Sequence, residues 1–520
     1  MIKKGAVAEF LSRELDSFLW MKKLSRDQIM GELRGLRVRP YFKTDPWLHQ
    51  LVCFYLALHH PRFLFLLDMG LGKSKIILDA ATQVQREGKL TKALVTVPRL
   101  INIDSWWEDT LRHSNLEPWH CDVADIGEKY ERLIEPEGDI TFIDYQGLHL
   151  ALSVKEKING RSKLVKDEKK MRQLLKIYNF IGIDESHKLA NHQSLWFSLL
   201  RQITKRVDYC YATTGTLFGH NPEAAWSQFY LVDRGETFGE NLGLFRASLF
   251  TEKISPWKGV KYIFNKHQSP TFHRMLQHRS LRYDEDEVLD LPKRVHRSQH
   301  FEMCPEQREH YLRAVQGLLD AKGKLKELEA PWLRMRQICS GYLAWKDEHG
   351  DHVVYFKQNS KLDGVERLLD EMGDTKAVIA YDYTATGAML VERVKHMGLD
   401  YEWFYGGTKD KSASRQRFMT DPKCRVMIMN SSAGGTGNDG LQKVARYMIL
   451  YESPSSPTER KQVIKRIHRP GQEHRCFIYD LTYRGTVESG ILQDIAEGND
   501  LYDKVVNGRI TRSALLGGQV

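Results

Sequence analysis

Paired or clustered cysteines are missing from this 520-residue sequence: Cys53, Cys121, Cys210, Cys304, Cys339, Cys424 and Cys476 are scattered, odd in number and form no CxxC pair. That spacing excludes a disulfide framework and a structural zinc site, and it predicts reduced thiols in a cytosol-like compartment. Long apolar runs are missing too, since none reaches the roughly 20 residues that cross a bilayer. The first residues, MIKKGAVAEFLSRELDSFLW, begin basic but place acids where a secretory leader carries its apolar stretch. The expectation is a soluble intracellular protein with no membrane partner.

What the chain does have is a modest basic excess, 77 Lys plus Arg against 67 Asp plus Glu, for a net charge of +10. The excess suits a polyanionic partner, and on charge alone an ordinary basic protein fits equally well. The length is enough for two or three domains with full cores.

The chain is organised around residues 63–80, FLFLLDMGLGKSKIILDA. Phe63 to Leu67 form a short continuous apolar run, the pattern of a strand buried on both faces of a parallel sheet. A glycine-bearing turn follows, and then Ile76, Ile77 and Ala80 recur at helical spacing. In a strand–loop–helix unit of this kind, Gly70 and Gly72 let backbone N–H groups approach phosphate oxygens, and the helix adds its positive N-terminal dipole. Lys73 reaches the terminal phosphates and the Ser74 hydroxyl holds a magnesium ion. Leu67 stands where the full phosphate-loop pattern has a further glycine.

Residues 1–40 mix apolar and charged positions at helical spacing and read as an N-terminal arm. Within 45–58, DPWLHQLVCFYLAL begins a helix whose Gln50 offers a donor and an acceptor together, as an adenine edge requires. Short β-rich runs then alternate with helical stretches: ALVTVP (93–98), TFIDY (141–145), FIGID (180–184) and YCYAT (209–213). The lysine-rich stretch 155–176 reads as a solvated charged hairpin. Residues 236–350 lose the strand rhythm and read as a helical insertion. The alternation resumes in AVIAY (377–381), YEWFY (401–405), RVMIMN (425–430), YMILY (447–451) and FIYDL (477–481), with no second phosphate loop. The expected fold is α/β, two doubly wound parallel-sheet domains at 41–235 and 351–495 joined by that insertion, with a tail at 496–520. A cleft between two such domains is a natural ligand site.

FIGID ends in Asp184 and continues as Glu185, Ser186 and His187. A carboxylate leaving the C-terminal end of a buried strand suits magnesium, and its neighbour can orient or deprotonate an attacking water. Thr213, Thr214, Gly215 and Thr216 close the next strand, where their hydroxyls can tie the magnesium site to its surroundings. In KQVIKRIHRPGQ (461–472), the spacing predicts a helix that puts Gln462, Arg466 and Arg469 on one face and ends at Pro470 and Gly471. Arginines of that kind supply charge to a transferring phosphoryl group.

The ordered set DMGLGKS (68–74), DESH (184–187), TTGT (213–216), AGGTGNDGLQ (433–442) and QVIKRIHRPGQ (462–472) resembles the superfamily-two helicase-type ATPases, in particular their Swi/Snf-type branch. The connecting pieces LRYDEDEVLDLPKRV (281–295), RQIC (336–339), SKL (360–362) and GTVESGIL (485–492) resemble the same branch, so the likeness runs over about residues 45–495. It implies two RecA-like domains that use ATP and magnesium. By position it implies cofactor binding at Gln50 and at Met69, Gly70, Leu71, Gly72, Lys73, Ser74 and Lys75, with metal held by Ser74 and Asp184. The implied catalytic set is Lys73, Asp184, Glu185, Gln462, Arg466 and Arg469. A nucleic-acid track is implied at Arg99, Trp107, Tyr145, Asn191, Tyr383 and Gly435.

The resemblance implies an ATP-dependent motor moving on double-stranded or branched DNA, in the cytoplasm of a microbe or of a virus's host, or in a eukaryotic nucleus. The chain departs from the branch in the shifted glycine segment GGTGNDGLQ and in SPSSP (453–457), which lacks the usual tryptophan. Two rival readings stand beside the motor: a helicase that separates strands or remodels forks and junctions, and an ATP-switched DNA clamp with little turnover. A protein cargo met by the N-terminal arm is a further possible partner, and a monomer is the expected state.

Overall fold

Each of the apolar runs singled out above is a strand, most of them with both faces covered, and their order in space is set by parallel pairing. The computed structural model describes residues 4–35, 39–158, 161–215, 217, 222–255, 259–288, 291–320, 325–347, 350–432 and 440–496. The chain divides into two units, residues 1–289 and 290–520.

In the first unit the strands are β1 (Arg62–Leu67), β2 (Ala93–Val97), β3 (Pro118–His120), β4 (Ile140–Asp144), β5 (Ser153–Ile158), β6 (Arg161–Lys166), β7 (Phe180–Asp184), β8 (Tyr209–Thr214), β9 (Phe250–Ser255), β10 (Gly259–Phe264) and β11 (Ser280–Tyr283). Seven of them form one sheet in the order β11-β1-β8-β7-β2-β4-β3, and every pairing is parallel. Alternate residues enter two separate cores: Leu64, Ile181 and Ile183 lie on one face, and Phe63, Phe65 and Phe180 on the other. Burial on both faces is why these strands read as continuous apolar runs instead of alternating ones. Gly182 in β7 is a packing requirement, since a Cβ there would stand 3.1 Å from the Ile77 side chain and 3.2 Å from that of Val95.

The helices α1 (Lys4–Ser12) and α2 (Arg26–Gly35) belong to this unit, because Phe10 enters one of the two cores and Ile29 and Leu33 the other. Helix α3 (Leu48–His59) precedes β1, α4 (Lys73–Arg86) follows it, and α5 (Ile101–His113) follows β2. The lysine-rich stretch divides: its first part belongs to the antiparallel hairpin β5–β6, with Lys155, Glu156 and Lys157 exposed, whereas Glu168–Leu174 form a helix that buries Met171 and Leu174.

The second unit contains β12 (Arg294–Phe301), β13 (Tyr342–Asp347), β14 (Gly350–Tyr355), β15 (Lys376–Tyr381), β16 (Asp400–Phe404), β17 (Cys424–Asn430), β18 (Ala445–Leu450) and β19 (Cys476–Tyr483). Its parallel sheet runs β12-β19-β18-β15-β17-β16. Residues 236–350 carry the helices Pro305–Asp320 and Leu325–Ser340, as the pattern suggests, and strands as well. β11 extends the first sheet beside β1, and β12 extends the second beside β19. The stretch therefore completes both sheets, and its strand rhythm is interrupted but not lost.

Two buried ion pairs pin the second core. Lys361 donates to Glu488 at 2.7 Å, and Arg460 grips Asp480 of β19 through two bonds of 2.5 and 2.6 Å. The Arg460 and Asp480 side chains are 8% and 5% exposed, so each is the other's buried counter-charge. Asp480→Ala is expected to lower the unfolding free energy of this unit by about 3–5 kcal/mol, because it strands a buried guanidinium. Denaturant titration checks this, and a loss under about 1 kcal/mol, the range of exposed pairs, would show that the guanidinium finds other compensation.

Candidate nucleotide site

Three adjacent parallel strands, β1, β8 and β7, deliver their C-terminal ends to one edge of the first sheet. The register sets Asp184 opposite Thr213, and Thr214 opposite Leu66. The glycine-bearing loop after β1, the acids after β7 and the threonines of β8 thus meet at one place, the carboxyl edge where open α/β sheets bind ligands.

The loop is held open by its glycines. Gly70 and Gly72 have φ of 86° and 72°, in the left-handed region that favours glycine. A Cβ on Gly72 would also fall 2.3 Å from Gln50 Nε2. Helix α4 begins at Lys73 with Gly72 as its N-cap, and no side chain caps it. The first backbone N–H groups of a 14-residue helix are therefore left to a ligand, with the helix dipole favouring an anion.

The charges at this edge are coupled. Lys73 Nζ donates to Glu185 Oε1 in a largely buried ion pair. Burial alone would raise Glu185, but Lys73 and, after it, His187 outweigh burial and hold its carboxyl well below the usual range. Burial would likewise lower Lys73, and Glu185 and Asp184 raise it instead. Asp184 goes the other way: burial, reinforced by the neighbouring Glu185 charge, lifts it above the ordinary carboxylate value. Its Oδ1 accepts from Thr213 Oγ1 at 3.1 Å and its Oδ2 from Trp106 Nε1 at 3.1 Å. Glu185 takes a left-handed backbone, φ 51°, which turns the chain sharply into the short helix Ser186–Leu189. A non-glycine residue there is strained by about 1–3 kcal/mol, and such strain collects at functional sites.

The other sequence-predicted residues divide. Gln50 is buried, receiving Trp47 N–H on Oε1 at 2.9 Å and donating Nε2–H to Leu71 O at 3.2 Å. An amide has four hydrogen-bonding positions, so a donor and a lone pair are left for a base. Met69, Gly70, Leu71 and Gly72 form the turn itself. Lys75 is a correction: it is buried and its ammonium is bonded to Asp79 at 2.8 and 3.1 Å. Ser74 donates to Asp109, a partner that the sequence did not suggest.

Tyr145 is corrected as well. It is 1% exposed, its ring stacks on Trp196 and its hydroxyl donates to the Asp184 carbonyl at 2.6 Å, so it supports the acid-bearing strand and presents nothing to a nucleic acid. Arg99 and Asn191 are exposed, and Trp107 and Tyr383 are half-buried. Gly435, Thr216 and most of the 433–442 segment lie outside the described residues.

In the second unit the predicted arginine helix is shorter than its spacing implied. It runs Pro457–Ile464, so Gln462 is helical while Arg466 and Arg469 follow in turns and share no helical face with it. Arg466 is buried and donates to Ser431 O at 2.7 Å, at the end of β17, and burial brings its guanidinium down to about 10. Arg469 is half-buried.

Sequence reasoning missed Trp106, Asp109 and His49. The first two lie three residues apart on α5, and His49 approaches Leu71 O at 2.8 Å through Nε2. The readable signal was the WxxD spacing on the helix that follows a buried strand. The donor set also fits a magnesium ion, since Ser74 and Asp184 offer a hydroxyl and a carboxylate, the hard oxygen ligands that this cation takes.

A glycine-opened loop before an uncapped helix, with a lysine–glutamate pair and a second acid on the neighbouring strand end, is the arrangement that a phosphate-loop nucleotide site requires. Comparison with known proteins agrees. Residues 43–216 match the family described as Type III restriction enzyme, res subunit. An uncharacterized ATP-dependent helicase of Bacillus subtilis is 26% identical over 351 residues, covering 63% of this chain and 60% of that protein. A CHD3-type chromatin-remodeling factor of Arabidopsis thaliana is 22% identical over 63% of this chain and 27% of its own length. Among solved structures, the Sulfolobus solfataricus SWI2/SNF2 ATPase core in complex with dsDNA aligns over 93% of this chain and 99% of that one, at 19% identity and a TM-score of 0.41. The matched relatives are helicase-type and chromatin-remodeling proteins, in keeping with the resemblance that the motifs carry. The chain spans less than two thirds of the length of either relative.

Tyr145→Phe removes the hydroxyl that satisfies the Asp184 carbonyl. It is expected to destabilise the first unit by about 1–3 kcal/mol while leaving DNA affinity unchanged. Fluorescence anisotropy with duplex DNA checks the second half, and weakened binding in a variant that remains folded would return Tyr145 to the track.

Proposed function

We propose that this protein is a nucleic-acid-dependent ATPase that hydrolyses ATP to ADP and phosphate and uses the cycle to translocate along duplex DNA. The observation that carries the reading is the buried Lys73–Glu185 pair between the phosphate loop and the strand-end acids.

The pair suggests how nucleotide starts the reaction. Triphosphate oxygens arriving at the uncapped N-terminus of α4 compete with Glu185 for Lys73. Once Lys73 turns to the phosphates, Glu185 loses its main counter-charge, its proton affinity rises, and its carboxylate is released to orient and deprotonate a water. Ser74 and Asp184 would hold the magnesium ion, which neutralises developing phosphate charge when bound. Gln50, fixed to Leu71, reads the base beside the loop. Arg466 and Arg469 are assigned to the charge that develops on the transferring phosphoryl group.

Exposed Arg99 and Asn191, with half-buried Trp107 and Tyr383, are the proposed nucleic-acid contacts. A net charge of +10 fits a grip on phosphates that weakens steeply with salt.

Lys73→Ala and Glu185→Gln are each expected to cut DNA-stimulated phosphate release by roughly 100-fold or more with the far-ultraviolet circular dichroism unchanged. Lys73→Ala should also weaken nucleotide binding, whereas Glu185→Gln should keep it. Either variant hydrolysing at the parental rate would refute the site. Displacement of a triplex strand without separation of the duplex is the expected motor behaviour. Strand separation would indicate a helicase, and tight ATP-dependent DNA binding with negligible turnover a clamp.

A further inference from the structure

The two oxygens assigned to magnesium are held from behind by one helix. Helix α5 presents Trp106 and Asp109, three residues apart and so on one face. The Trp106 indole N–H donates to Asp184 Oδ2 at 3.1 Å, and the Asp109 carboxylate accepts the Ser74 hydroxyl proton through Oδ2. Neither residue belongs to the phosphate loop or to the acid pair. Trp106 is 4% exposed, and its ring packs beside that of Phe142 with centroids 6.0 Å apart. The other oxygen of Asp109 lies 4.0 Å from His113 Nε2, and His113 in turn meets Thr44 Oγ1 at 2.6 Å. Asp109 thus stands in a short polar chain that ends outside α5.

The chemistry of the two contacts is complementary. A hydroxyl binds a cation through an oxygen lone pair, so its proton must point elsewhere. Asp109 is an acceptor that takes this proton and turns the free lone pairs of Ser74 Oγ outward. A carboxylate binds a cation well when its plane is fixed, and Asp184 is fixed at both ends, by Thr213 on Oδ1 and by Trp106 on Oδ2. Partners of this outer kind orient ligands and tune their affinity.

Resting on the nucleotide reading above, we propose that Asp109 and Trp106 are positioning residues for the magnesium end of that site: Asp109 orients the Ser74 hydroxyl, and Trp106 orients the Asp184 carboxylate. Both act through another residue and touch neither nucleotide nor metal. The variants that separate this role from packing are Asp109→Asn, which keeps the volume but can donate a competing proton toward Ser74, and Trp106→Phe, which keeps a buried ring but removes the donor.

The test measures the affinity of a fluorescent ATP analogue for the full chain in magnesium and in excess EDTA. Asp109→Asn and Trp106→Phe are expected to weaken binding in magnesium by roughly 10- to 100-fold and to leave binding in EDTA unchanged. The magnesium concentration giving half-maximal phosphate release should rise in parallel, and Asp109→Glu, which retains the acceptor, should recover part of the loss. A purely structural role would lower both affinities alike, together with the melting temperature, and would overturn the proposal. Variants whose magnesium dependence equals that of the unsubstituted chain would overturn it too, while leaving the nucleotide reading in place. An unsubstituted chain that binds no analogue in magnesium would overturn the nucleotide reading itself and this proposal with it.

Discussion

The ion pair between Lys73 and Glu185 joins positions 112 residues apart and makes one site of two loops. Both charges are largely buried, so each would be costly without the other. Their meeting requires β1 and β7 to end at the same edge with only β8 between them, which is what the parallel order supplies. The remaining geometry follows from it: the left-handed turn at Glu185, the glycine opening at Gly72 and the threonine bond to Asp184 all serve to bring these segments together at that edge.

Much of this was legible in the sequence, for a definite reason. Strands buried on both faces are short continuous apolar runs, and the runs beginning at Phe63, Ala93, Thr141, Phe180 and Tyr209 in the first unit all proved to be such strands. Two misreadings at the site share a cause as well: each took adjacency in sequence for adjacency in space. Lys75 follows the phosphate-loop lysine by two residues, but two residues along a helix turn the side chain away, and Lys75 meets Asp79 one turn on. Tyr145 follows a strand end near the site, yet its hydroxyl satisfies a buried carbonyl.

Residues 236–350 were illegible for a different reason. β11 and β12 are edge strands whose partners, β1 and β19, are far from them in sequence, so their pairing is fixed by long-range register and leaves little local signature. In Arg294–Phe301 most side chains are exposed or half-buried, which hides the strand from a search for apolar runs. The arginine segment erred at its end. Pro470 and Gly471 suggested a late stop, whereas the helix finishes at Ile464 and the chain turns so that Ile467 enters the core and Arg466 reaches Ser431 at the end of β17. Tertiary contacts outweighed the local spacing there.

The two acids of the strand end share a turn but not a role, and the environment rather than the sequence divides them. Asp184 is raised by burial and by its neighbour's charge, whereas Glu185 is lowered by a lysine that burial alone could not have overcome. Linkage gives the signs. Glu185, held low, contributes stability that is present above the ordinary carboxyl value and lost as the pH falls through its depressed one; Asp184, held high, costs stability where it is charged and recovers it as the pH falls through its raised value. The two oppose each other in the folded protein, so the site is not arranged for stability. A cation beside Asp184 removes that cost, and an anion taking Lys73 removes the advantage of Glu185. A metal-bound triphosphate, the ligand proposed for this loop, would do both at once, lifting the cost at Asp184 while giving up the advantage at Glu185.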